Sequence, residues 1–75
     1  MNPIREAATK AGTYTELARR LGVTPQAIKK YERAWDSGNQ RAVPAHRALE
    51  IEEAVGIPRH ELRPDLWAPQ VDTAA

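Results

Sequence analysis

The chain has no cysteine, no phenylalanine, one serine and one methionine. Without cysteine there is no disulfide framework, no thiolate zinc site and no thiol nucleophile. That usage fits a reducing compartment, and a cytoplasmic, bacterial or phage-encoded protein is expected. Ser37 is the lone serine, and no pair of carboxylates beside a histidine forms a recognisable catalytic site. No enzyme, no catalytic residue and no cofactor are therefore expected. No apolar run approaches the roughly 20 residues of a membrane span, and Met1-Asn2-Pro3-Ile4-Arg5-Glu6 lacks the profile of a signal peptide. The four glycines are scattered at 12, 22, 38 and 56, so no Gly-rich loop can cradle a phosphate. Large apolar side chains are scarce as well. Thirteen alanines equal valine, isoleucine and leucine combined. The core of this 75-residue chain must be thin and closely approached. Such a core supplies only about 3–5 kcal/mol, and oligomerisation often adds to it.

What is present is helical punctuation. Asn2-Pro3 reads as an N-cap followed by an N1 proline, and Thr24-Pro25 repeats the pattern. Thr13-Tyr14-Thr15-Glu16 fits a capping box. Gly12, Gly22 and Gly56 each follow a stretch with apolar residues three or four apart, where a helix ends. The spacing predicts helices over about 3–11, 14–21, 25–34 and 44–55, and a short turn near 58–62. The inward residues are Ile4, Ala7, Ala8 and Ala11, then Leu17, Ala18 and Leu21, then Ile28, Tyr31 and Trp35. In the fourth helix Ala48, Leu49, Ile51, Glu52 and Val55 surround the inner side. Two placements fit residues 36–42: an extra turn of the third helix through Trp35, or a mobile loop. No segment alternates with period two, so the chain reads all-α, a compact bundle of about five short helices. One domain is expected over 1–67, with a flexible tail over 68–75.

The second and third helices are short and separated by Gly22-Val23-Thr24. Ala18 allows close approach, Gly22 reverses the chain, Val23 plugs the space beneath and Ile28 packs back. That combination is the helix-turn-helix spacing. On the third helix Gln26, Lys29, Lys30 and Arg33 share the face opposite Ile28 and Tyr31. Gln can pair bidentately with adenine, and Lys can donate to guanine or to phosphate. Backbone N–H groups at the starts of both helices can bind phosphate oxygens. The net charge of +1 conceals a division. Residues 1–47 hold nine Lys/Arg and four acids, a balance of +5, while residues 48–75 hold two Arg and six acids, a balance of −4. One face for a polyanion and another turned away from it is the expected result.

The stretch from Thr15-Glu16-Leu17-Ala18 through Gly22-Val23-Thr24-Pro25 to Lys30-Tyr31-Glu32 resembles the Cro/CI-type helix-turn-helix of phage repressors. Val43-Pro44-Ala45-His46-Arg47-Ala48-Leu49 and Leu62-Arg63-Pro64-Asp65-Leu66-Trp67 are similar to the small Cro-like, YdaS-type prophage regulators. The resemblance implies a lambda-repressor-like domain that binds a double-stranded DNA operator as a homodimer, with the third helix in the major groove. It implies base-reading roles for Pro25, Gln26, Lys29 and Lys30. Thr13 and Tyr14 fall on the backbone-contacting cap of the second helix, Tyr14 standing where the subgroup often has Gln. Thr24, Arg33 and Arg41 are the further phosphate candidates. An antitoxin or anti-repressor role, with a protein partner on the acidic C-terminal half, also follows from such relatives.

Other groups have plainer readings. Arg19 and Arg20 read as ordinary exposed helix charges. His46 and Glu50 are four apart, a metal spacing, but without a third ligand they read as a surface pair. Ile57, Leu62, Leu66 and Trp67 either close the monomer core or form a dimer patch.

Overall fold

The computed structural model describes residues 2–68. All regular structure among them is helical, in the order α1 (Pro3–Ala11), α2 (Tyr14–Leu21), α3 (Pro25–Asp36), α4 (Ala45–Val55) and α5 (Arg59–Leu62). The C-terminal tail expected over 68–75 lies outside the described residues from 69 onward. Among the described residues no helix is long and apolar enough to cross a membrane.

Local chemistry starts three of these helices as expected. Asn2 Oδ1 accepts from the N–H groups of Ile4 and Arg5 at 3.0 and 3.3 Å. Thr13 and Thr24 accept from Glu16 N–H and Ala27 N–H. Each bond satisfies a donor that the first turn leaves free. The capping box at Thr13 is only half made. The Glu16 carboxylate does not return to the cap; it accepts from Arg19 and Arg20 instead. Pro44 stands at the N-cap of α4 rather than in its first turn.

Gly22 ends α2 at φ +70°. Val23 N–H then reaches Ala18 O and Gly22 N–H reaches Arg19 O, the paired bonds of a Schellman motif. The end of α3 repeats this device. Asn39 N–H donates to Ala34 O and Gly38 N–H to Trp35 O, with Gly38 at φ +93°. Of the two placements for the 36–42 stretch, helical extension through Trp35 is therefore the observed one, and the chain leaves the helix at Gly38.

The core is as thin as the alanine count implied. Ile4, Leu17, Ile28, Val43, Ile51, Ile57 and Leu62 are its fully buried large side chains. Ala7, Ala8, Ala18 and Ala48 let the helices approach between them. Leu49 is a correction. It is 40 % exposed, because Ala48 and Ile51 define the buried side of α4 and Leu49 lies roughly 125° round the helix from it. The patch expected from Ile57, Leu62, Leu66 and Trp67 divides. Ile57 and Leu62 close the core, Trp67 packs partly against it, and Leu66 is 47 % exposed.

Two arginines fasten the second half of the chain. Arg47 Nη1 donates to Leu21 O, an orphan carbonyl at the end of α2, and also to Glu50. Glu50 thus pairs with Arg47, not with His46 as the spacing suggested. Arg63 Nη1 donates to Val43 O at 2.8 Å while its Nε and Nη2 grip Asp65 bidentately. The Arg63-Pro64-Asp65 run is therefore a staple on the segment that joins α3 to α4.

Topology sets the two charged regions apart. α3 packs on α1 and α2, and its backbone approaches neither α4 nor α5. α4 packs on α1, α2 and α5. The first two helices thus stand between the basic α3 and the acidic α4.

Candidate nucleic-acid interface

The face of α3 away from Ile28 is open. Gln26, Lys29, Lys30 and Arg33 are all exposed, and Pro25 is half-buried at the start of the helix. The pairing of charges separates these side chains from the rest. Arg5, Arg19, Arg20, Arg41, Arg47, Arg59 and Arg63 each stand within 4 Å of a carboxylate. Among the described residues, Lys10, Lys29, Lys30 and Arg33 are the cations without one. Three of those four share the outer side of one helix.

The flanks of this face come from α1 and α2. The N–H groups of Thr15 and Gln26 lack backbone acceptors, as first-turn donors must. Thr13 and Thr24, both exposed, use their hydroxyl oxygens as caps. Tyr14 is arranged differently from a free phosphate donor. Its hydroxyl donates to the Glu32 carboxylate, and its ring lies under the Lys29 ammonium, 5.6 Å from the centroid. The bond to Glu32, with partial burial, holds the phenol above its ordinary pKa. Arg5 of α1 completes the flank by binding Glu32 at 3.1 Å and Asp36 at 2.8 Å.

Asn2 joins the same group from below. It is the one buried polar residue among those described, and its Nδ2 donates to Glu32 O and Asp36 Oδ1. Sequence reading placed Asn2 only as a cap. Its second role ties α1 to a helix more than 30 residues away, and no local spacing signals that. Arg41 stands apart from the α3 face. It is exposed and paired with Asp65 at 3.6 Å, on the side of the Arg63 staple. Arg19 and Arg20 turn to Glu16, whose pKa their hydrogen bonds lower to about 2.

That depressed carboxylate makes an acid dependence calculable in sign. Glu16 favours the folded chain above its usual 4.5 and loses that contribution as pH falls toward 2. Asp36, held down first by Asn2, Asp65 by Arg63 and Glu52 by Arg59 shift the same way. Thermal melts followed by circular dichroism should show stability falling across that window. Glu16→Gln should flatten part of the fall; a fall of unchanged steepness would remove Glu16 as a contributor.

The family model described as bacterial toxin YdaS matches residues 4–71. No curated protein and no solved structure matches the chain.

Proposed function

The chain belongs to the YdaS toxin family, and from that premise we propose that it is a sequence-specific, double-stranded DNA-binding regulator of Cro-like type. The observation that carries the reading is the set of unpaired cations, Lys29, Lys30 and Arg33, grouped with Gln26 on the exposed side of α3. α2, its Gly22 turn and α3 act as the helix-turn-helix, with α3 entering the major groove. Gln26 and Lys30 read base edges, while Arg33, Lys29 and the first-turn N–H groups hold phosphates. Two copies occupy half-sites about one helical turn apart, and exposed Leu66 is the apolar side chain left for their contact. Occupancy of a promoter is the whole mechanism, with no bond made or broken.

A second reading is favoured by the opposite side of the molecule. Glu53 and Glu61 have no cationic partner among the described residues, and Leu49 is exposed beside Glu53 on α4. A toxin–antitoxin role would use that side for a protein, and it is compatible with DNA on α3. The two readings separate by salt. Duplex binding loses affinity steeply as salt rises, whereas a protein contact through Leu49 does so weakly.

Selection from a random duplex library with the intact chain should return a palindromic motif. Gln26→Ala should relax one position of each half-site by about 1–3 kcal/mol, the worth of a bidentate base contact. A flat result with the wild-type chain, or an unchanged motif with Gln26→Ala, would count against the DNA reading or the Gln26 assignment respectively.

A further inference from the structure

Glu32 is an unexpected residue to find on this helix. It puts a carboxylate one turn beyond Ile28, close to a face that would meet phosphates, where a free negative charge opposes binding. Its oxygens are not free. Oε2 accepts from Arg5 Nε and from the Tyr14 hydroxyl. Tyr14 is thus held to α3 at two points, through its hydroxyl at Glu32 and through its ring beneath Lys29. The same ring is the first residue of α2, so the contact also joins the starts of the two helices that would straddle the DNA backbone.

Given the DNA-binding reading of α3, on which this inference rests, we propose that Glu32 is a positioning residue for the nucleic-acid face. Its carboxylate fixes the Tyr14 ring, and the ring holds the Lys29 ammonium by cation–π attraction on the flank of the helix, where phosphate passes. Arg5 neutralises the same carboxylate, so it positions without repelling. Tyr14 then serves the interface through its ring, not by donating its hydroxyl to DNA. Lys29 carries the phosphate contact that the arrangement prepares.

The proposal predicts a sign opposite to simple charge counting. Removing a carboxylate beside a DNA-binding face should tighten binding if charge alone mattered. Glu32→Ala should instead weaken it, by about the fivefold that one phosphate contact is worth near physiological salt. Affinity is measured by fluorescence anisotropy on the duplex selected by the wild-type chain, below the thermal transition of every variant. Glu32→Gln, which keeps an acceptor for the Tyr14 hydroxyl, should recover most of the loss. Tyr14→Phe, which leaves the Arg5 contact in place, should weaken binding in the same direction as Glu32→Ala. In a Lys29→Ala background Glu32→Ala should cost nothing further. Tighter binding by Glu32→Ala, or an undiminished loss without Lys29, overturns the positioning role and leaves the DNA reading standing. A wild-type chain that selects no duplex overturns both.

Discussion

Alanine at Lys29, Lys30 and Arg33 together should lower duplex affinity about a hundredfold near 0.15 M salt, and leave the thermal midpoint almost unmoved. The size follows from counterion release. Each phosphate neutralised adds about 0.9 to the slope of log affinity against log salt, so three lost contacts flatten it by roughly 2.7. The midpoint should hold because all three side chains are exposed and none is within 4 Å of a carboxylate. Exposed substitutions of this kind usually change stability by less than about 0.5 kcal/mol each. A salt titration of the triple variant against the wild type reads both quantities. An unchanged slope would show that α3 does not face the DNA. Arg19→Ala with Arg20→Ala is the control, because Glu16 already engages both guanidinium groups; it should shift the slope far less.

Ile28→Ala should have the largest effect on stability. Ile28 is the single fully buried residue of α3, with Tyr31 and Trp35 only partly covered beside it. Truncation leaves a cavity where α3 meets α1 and α2. Such changes cost about 2–5 kcal/mol, against a total of about 4–11 kcal/mol for a domain of this length. The melting temperature should fall by roughly 10 °C or more, and DNA binding should weaken with it as α3 loses its seat. Ile28→Val keeps most of the side chain and should cost about 0.5–1.5 kcal/mol. Equal midpoints for Ile28→Ala and wild type would mean that α3 is held chiefly by Asn2, Arg5 and the Tyr14–Glu32 contact.

The starts of the helices were legible because capping is local. Asn2, Thr13 and Thr24 each bond to a donor two or three residues away, so the residue type and its place predict the contact. The turn at Gly22 was legible for the same reason. The end of α3 was not, because Gly38 sits in a polar stretch that reads equally as loop. Only the Schellman bonds to Ala34 and Trp35 distinguish the two. The outward position of Leu49 was also hidden. Helical spacing places Leu49 beside Ala48, and the neighbours from α1, α2 and α5 decide which of the two is covered. The basic side of α3 was visible from the spacing of Gln26, Lys29, Lys30 and Arg33 alone. The Asn2–Arg5–Glu32–Asp36 group that flanks it spans separations of 27 to 34 residues and has no sequence pattern.

By itself, then, the order of residues determined the all-helical class, four of the five helix starts to within a residue, and the division into a basic and an acidic part. Those depend on propensity, caps and charge counts, which are properties of neighbours along the chain. Which cations are left for a partner was decided by the tertiary structure. Arg5, Arg41 and Arg63 count equally with Lys29 and Lys30 in any sum of charge. The fold brings Glu32, Asp36, Asp65 and the Val43 carbonyl to the arginines and leaves the lysines unmatched. Coulombic pairing acts through space over a few ångströms, so a balance of +5 along the sequence becomes a binding face only where the packing leaves its charges unpaired.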